Sequence, residues 1–265
     1  MRLAVNGAEV FCATGGREFD GSLPLVVFLH GAGFDHTAWQ LLARWFAHRG
    51  AAVLAPDLPG HGASGGAPLR SIGAMADWTA ALIKAADAKQ ATLFGHSMGS
   101  LVALETAARH PERVVALALI CTASAMRVSA ELLKAAEAND RAAIDMMNIW
   151  GHGRLAGMGG SLAPGMWMLG GAEKILERAA PGVLYADLAA CNDYRDALAS
   201  AAKVKAPTTV VLGERDLMTS AKSGRELAAA LPGARVVLLP GAGHMLMSER
   251  PDEVLAAVRH LAPAR

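Results

Sequence analysis

Gly95-His96-Ser97-Met98-Gly99 follows an apolar run, Ala91-Thr92-Leu93-Phe94, and precedes a helix-like stretch from Ser100 to Arg109. A serine with glycine two positions away on either side, set between a strand and a helix, has a mechanical reason. The chain must reverse sharply, which forces the serine to positive φ. Neighbours two positions away crowd that turn, so glycine is favoured at 95 and 99. The hydroxyl is then held clear of the backbone at a helix N-terminus, where free N–H groups and the helix dipole favour developing negative charge. The competing reading is an ordinary Gly-Ser-Gly loop, and the rest of the chain decides between the two.

Outward from that turn, short β-type runs alternate with helical patterns. Leu25–His30, Ala52–Pro56, Ala91–Phe94, Val114–Cys121, Thr208–Leu212 and Arg235–Leu239 read as strands. Thr37–His48, Ser71–Ala88, Ala221–Ala230 and Asp252–Leu261 read as helices. Continuous apolar strands such as Val114–Cys121 are expected where both faces are covered. The alternation implies a parallel sheet with helices on both faces, hence an α/β fold. Leu3–Val5 and Glu9–Ala13 could add an antiparallel edge.

The rhythm breaks between about Ala125 and Arg195. The stretch is helical but irregular, interrupted at Gly151-His152-Gly153 and Gly157-Met158-Gly159-Gly160, and it carries Met126, Met146, Met147, Met158, Met166 and Met168 with Trp150 and Trp167. It reads as a helical cap or lid, residues 125–195, inserted into a core made of residues 1–124 and 196–265. Methionine adapts to irregular apolar shapes, which suits a lid over a substrate pocket. The alternative is a helical layer whose Met and Trp merely pack on the core.

Composition bounds the partners. Lys and Arg number 25 against 24 Asp and Glu, a net charge of +1 with no basic block, so no nucleic acid or anionic membrane is expected. A small-molecule substrate is the expected partner, and the sequence carries no sign of oligomeric state. Cys12, Cys121 and Cys191 are too scattered for a disulfide framework or a metal site. The start lacks the apolar core of a signal peptide, no apolar run approaches a membrane span, and a cytoplasmic location is expected.

A serine hydroxyl needs an adjacent base, and histidine suits that role at neutral pH. His244, in Pro240-Gly241-Ala242-Gly243-His244 just past the last strand, is the best placed of nine histidines. His30 and His61 read as loop anchors, His96 as pointing away from the serine, His110 as a helix cap, and His152 as solvent-exposed. The base needs an acid to fix its tautomer. Asp216, in Gly213-Glu214-Arg215-Asp216 after the Thr208–Leu212 strand, fits, with Glu214 as rival. Two N–H donors are needed for an oxyanion: Met98 after the serine, and Ala32 in His30-Gly31-Ala32-Gly33-Phe34, with Gly33 second. Gly33, Cys121, Met146, Trp150 and Trp167 are the expected substrate-binding residues, with Cys121 reduced on the pocket floor. No metal or cofactor is expected.

These segments together resemble the α/β-hydrolase superfamily, in particular its small bacterial members with a helical cap. The resemblance rests on Leu29-His30-Gly31, Asp57-Leu58-Pro59-Gly60-His61-Gly62, Gly95-His96-Ser97-Met98-Gly99, Gly213-Glu214-Arg215-Asp216, and Gly243-His244 followed by Glu249-Arg250-Pro251. It implies a mostly parallel eight-stranded sheet, a metal-free mechanism and an acyl-serine intermediate, with Asp57 stabilising a loop rather than reacting. Serine at 97 argues against dehalogenases and epoxide hydrolases, which use aspartate there. His30-Gly31-Ala32-Gly33-Phe34 departs from the His-Gly-Gly-Pro-Gly loop of prolyl aminopeptidases. Cys121-Thr122-Ala123-Ser124-Ala125 and Arg195-Asp196 are similar to short stretches of 3-oxoadipate enol-lactonases. Carbon–carbon bond hydrolases carry Asn where His96 stands.

The expectation is a serine hydrolase cleaving a small, largely apolar carboxylic ester through a Ser97–His244–Asp216 triad. Lactonase, thioesterase and carbon–carbon bond hydrolase activity are the alternatives. A non-catalytic ligand sensor on the same scaffold is the alternative of another class.

Overall fold

The computed structural model describes residues 1–161 and 165–261. The parts of the expected cap and core at 162–164 and 262–265 lie outside the described residues.

An eight-stranded sheet runs in the order β1-β2-β4-β3-β5-β6-β7-β8. The strands are β1 (Arg2–Val5), β2 (Ala8–Ala13), β3 (Leu25–Leu29), β4 (Ala52–Pro56), β5 (Ala91–His96), β6 (Val114–Ile120), β7 (Thr208–Gly213) and β8 (Arg235–Leu239). β1 and β2 form the antiparallel edge, and β2 meets β4 antiparallel. Every pairing from β4 to β8 is parallel. The helices are α1 (Gln40–Ala47), α2 (Ile72–Ala85), α3 (Met98–Arg109), α4 (Ala130–Glu137), α5 (Arg141–Gly151), α6 (Arg154–Gly157), α7 (Met168–Arg178), α8 (Val183–Asp193), α9 (Ala197–Ala201), α10 (Ala221–Ala230), α11 (Leu246–Glu249) and α12 (Pro251–Val258).

Residues of β3, β4 and β5 are buried throughout, as the unbroken apolar runs require of strands covered on both faces. Beneath β3 and β5, Phe28, Trp39, Phe46 and Phe94 form an aromatic knot with ring centroids 4.8 to 5.8 Å apart. Side-chain oxygens cap the helix starts: Ser71 Oγ accepts from Ala74 N, and Ser129 Oγ from Leu132 N.

Strand order reverses at β3, whose neighbours are β4 on one side and β5 on the other. In an open parallel sheet that reversal opens a crevice at the strands' C-terminal ends. The β3–β5 register pairs Leu29 with Gly95, and β5–β6 pairs His96 with Ile120. The loops after β3, β5, β7 and β8 therefore meet at one end of the sheet. Between β6 and β7 the chain leaves the alternation for α4 to α9.

Most boundaries shift by a residue or more from expectation, and two of the shifts have a visible local cause. β6 stops at Ile120, because Cys121 turns to φ 51°. The first helix divides into a 3₁₀ turn, His36–Trp39, and α1, because Asp35 accepts from Thr37 N and starts a tight turn.

Candidate active site

Ser97 leaves β5 with φ 52° and ψ −120° and is followed at once by α3. Its N–H is tied to Ile120 O at 2.9 Å, which fixes the turn to the neighbouring strand. A Cβ at Gly99 would collide with the Leu29 and His30 carbonyl oxygens, and one at Gly95 with the Gly99 carbonyl. The glycine requirement at both positions is thus steric.

His244 sits past β8. Its Nδ1 lies 2.8 Å from Asp216 Oδ2. A carboxylate only accepts, so Nδ1 carries the proton and Nε2 is left as the basic atom. Asp216 Oδ1 accepts from Met218 N at 2.8 Å and Thr219 N at 2.7 Å; Thr219 Oγ1 donates to Oδ2 at 2.7 Å. Burial works against ionising Asp216, but His244 and the Thr219 donors outweigh it and hold its pKa down at about 2. Glu214 is taken up elsewhere: it accepts from Gly241 N at 2.9 Å and is half exposed. Ser97 and His244 line one small crevice with Gly31, Ala32, Met147 and Gly151.

Three groups hold the His244 backbone. His96 Nε2 donates to His244 O at 3.0 Å, and Cys121 Sγ reaches the same oxygen at 3.0 Å. The N–H groups of His244 and Met245 both donate to Gly151 O, at 3.1 and 2.9 Å. Glu249, buried nearby, accepts from Gly243 N at 3.0 Å and Gly153 N at 3.1 Å through the same oxygen. The His96 ring packs 4.8 Å from that of His244. Burial, then the neighbouring His244, pushes its pKa down to about 3, so it stays neutral. His96, Cys121 and His244 could in principle offer donor atoms to a metal. In this arrangement His96 Nε2 and Cys121 Sγ are engaged on a carbonyl and His244 Nδ1 on a carboxylate.

Ala32 and Met98 present backbone N–H groups that no other group among the described residues engages. Gly33 differs. Its N–H donates to Asp187 Oδ2 at 2.9 Å, which removes it as an oxyanion donor. Asp187, on α8, also receives His61 Nε2 at 2.8 Å, and His61 Nδ1 faces Pro59 O at 3.1 Å. Both ring nitrogens of His61 thus face acceptors. Burial opposes the imidazolium, yet Asp187 and Pro59 raise the His61 pKa above its ordinary value. His30 donates to Gly31 O and accepts from Leu58 N, and burial lowers its pKa to about 4. Asp57 accepts from His36 N, His36 Nδ1 and Ala63 N, each at 2.8 Å, which braces the loop after β4.

A cavity of about 170 Å³ leads off Ser97 and Ala32. Its apolar walls include Met126, Leu132, Met147, Trp150 and Leu188. Of the expected substrate-binding residues, only Trp150 lines it. Met146 packs against the core instead, one position out of phase with Met147 on α5. Trp167 is 69% exposed and walls a separate groove of about 100 Å³, behind Phe34 and Met245. Gly33 faces a third hollow with His36 and His61. Cys121 is free and fully buried but lies under the His244 loop, not on the cavity floor, because its left-handed φ turns Sγ toward His244 O. His152 is buried, with Nδ1 against Asn148 O at 2.9 Å. Thr219 and Asp187 escaped the sequence reading, and Glu249 entered it only as part of the stretch after His244, with no role assigned. Thr219 alone left a local sign there, three residues after Asp216 where a side-chain-to-backbone turn is common.

A family profile described as "Alpha/beta hydrolase family" matches residues 26–257. The chain is similar to the pimeloyl-[acyl-carrier protein] methyl ester esterase of Chromobacterium violaceum, 31% identical over 91% of this chain and 95% of that protein. It is also similar to the enzyme of that name from Aromatoleum aromaticum, 30% identical over 87% and 94%. Among solved structures, the enol-lactonase of Burkholderia xenovorans LB400 superposes with a TM-score of 0.87 at 25% identity, covering 99% of this chain and 100% of that one. Profile, relatives and sheet order agree: the chain belongs to the alpha/beta hydrolase family.

Proposed function

We propose that this protein hydrolyses a small carboxylic ester through an acyl-serine intermediate. Ser97 Oγ attacks the carbonyl while His244 Nε2 takes its proton. Asp216 holds the imidazole tautomer and stabilises the imidazolium. The N–H groups of Ala32 and Met98 receive the oxyanion. His244 then gives its proton to the departing alkoxide. Water, activated by the same nitrogen, attacks the acyl-serine, and collapse of the second intermediate frees the acid and Ser97.

The observation that carries this reading is the 2.8 Å Asp216–His244 contact, made by a histidine that shares a crevice with a positive-φ serine. The ester is favoured over other acyl bonds by the names of the Chromobacterium and Aromatoleum relatives, each at least 30% identical and covered over most of its length. The segment 125–195 acts as the cap, since Met126, Met147, Trp150 and Leu188 from it wall the cavity off Ser97. Three buried free cysteines suit a reducing cytoplasm. A lactone substrate is the second reading, favoured by the likeness to the Burkholderia enol-lactonase.

The test is turnover of p-nitrophenyl esters of increasing acyl length, with Ser97→Ala alongside. Loss of at least about 10⁴-fold in kcat on Ser97→Ala is expected. Retention of full turnover by that variant would overturn the mechanism. Turnover of lactones alone, still dependent on Ser97, would select the second reading.

A further inference from the structure

The cavity off Ser97 has one charged residue in its lining, Arg127, and no carboxylate. Arg127 is exposed, as is Leu217, so the two form the cavity's outer mouth while Ser97 and Ala32 form its inner end. Of the other arginines between 125 and 195, Arg141 and Arg178 are paired, while Arg154 and Arg195 are exposed and do not line the cavity. Arg141 binds Asp145, Glu173 and Glu177, and Arg178 binds Asp35. Arg127 has no carboxylate or hydrogen-bond partner among the described residues.

Its surroundings reinforce the charge. Ser129, which lines the cavity beside it, is the N-cap of α4, so the positive end of that helix lies at the same rim. Glu131, in the first turn of α4, does not line the cavity. The Arg127 loop is anchored where Val128 N donates to Asn192 Oδ1 at 3.2 Å, at the end of α8. A guanidinium at the mouth of a mostly apolar cavity, with no internal acid to satisfy it, fits a ligand anion whose apolar chain occupies the space between.

We propose that Arg127 is the anion receptor of this cavity, and that the substrate is an ester whose acyl chain ends in a carboxylate remote from the scissile carbonyl. This rests on the ester reading and names its substrate class. The scissile carbonyl sits between Ser97 and the Ala32 and Met98 N–H groups, the methylenes run past Met147 and Trp150, and the carboxylate meets the guanidinium and the α4 N-terminus. The carboxylate takes no part in the chemistry; it sets which chain lengths place the carbonyl at Ser97.

The test separates binding from turnover. Monomethyl esters of the C4 to C7 dicarboxylic acids and the methyl alkanoates of equal length are titrated calorimetrically into Ser97→Ala protein. At the best length the carboxylate ester binds about tenfold or more tightly than its neutral counterpart. Arg127→Gln in the same background brings that ratio close to one, and Arg127→Lys keeps part of it. The kcat/KM ratio of wild-type protein for the same pairs follows the binding ratio. A ratio near one at every length, or one that Arg127→Gln leaves unchanged, overturns the receptor and makes Arg127 a solvated surface residue. Failure of Ser97-dependent hydrolysis of any ester would instead sink the ester reading, while the calorimetric ratio still decides Arg127.

Discussion

The loops that carry Ser97 and His244 and the helices between β6 and β7 that wall the neighbouring cavity are held by different physics. The His244 carbonyl takes donors from His96 and Cys121, its N–H is spent on Gly151, and its imidazole is locked by Asp216 and Thr219. The cavity wall across from it is Met126, Leu132, Met147 and Leu188, which touch by shape alone. Directional bonds fix atoms to a few tenths of an ångström, which proton transfer needs. Methionine and leucine contacts are non-directional and re-pack at small cost, which suits the acyl-binding surface proposed above. Two buried acids bridge these regimes. Glu249 joins Gly153 beyond α5 to Gly243 in the histidine loop, and Asp187 of α8 joins the loop after β3 to His61.

Breaking the directional side should have the largest effect. Asp216→Asn leaves the shape but favours the wrong His244 tautomer, and kcat on a p-nitrophenyl ester should fall about 10⁴-fold with little change in KM. A fall of less than tenfold would mean that another acid orients His244.

Severing the Asp187 bridge should register in stability. Asp187→Ala strands a buried imidazole and the Gly33 N–H, and should cost about 3–5 kcal/mol in denaturant unfolding. It should also alter the pH dependence. His61 has a raised native pKa, so its contribution is fully present below the unfolded value of about 6.5 and is lost as pH rises through the native one. Wild-type stability should therefore decline across that window and the variant's should decline less, the remainder belonging to His36 beside Asp57. Equal slopes in the two proteins would contradict the charged pair.

The Glu249 bridge should have the smallest effect and sharpen the comparison most. Glu249→Ala frees the Gly243 and Gly153 N–H groups, and kcat should drop about 10- to 100-fold through misplacement of His244. Glu249→Gln keeps a carbonyl oxygen that can accept both donors and should restore most of the loss. The kcat–pH profile should broaden or move in the alanine variant only. If Gln and Ala are equally impaired, the negative charge matters and positioning does not.

The fold was legible wherever local rules are strong. Apolar strands buried on both faces show as unbroken runs, and the steric demand at Gly95 and Gly99 leaves an unmistakable trace around Ser97. Asp216 and His244 were legible because strand ends deliver such residues to one edge of a parallel sheet. Gly33 was harder: only the arrival of Asp187, 154 positions away, separates it from Ala32 as an N–H donor. Cys121 was misplaced because one left-handed residue after β6 redirects its thiol, and nothing in the apolar run announces that φ.

Between β6 and β7, sequence supplied composition and tertiary structure supplied direction. Met146 and Met147 are neighbours of the same chemistry, yet only Met147 reaches the cavity, since adjacent helical positions point about 100° apart. Trp167 looked like a pocket residue by type and lies on another face. By itself the sequence determined the sheet, the serine turn and the candidate acid and base, because those are set by short-range sterics and strand periodicity. Only the tertiary structure decided which backbone donors stay free, which buried acids tie α5 and α8 to the loops, and that Arg127 stands at the mouth of the cavity. Those are matters of long-range proximity, and residue type does not encode who the neighbour will be.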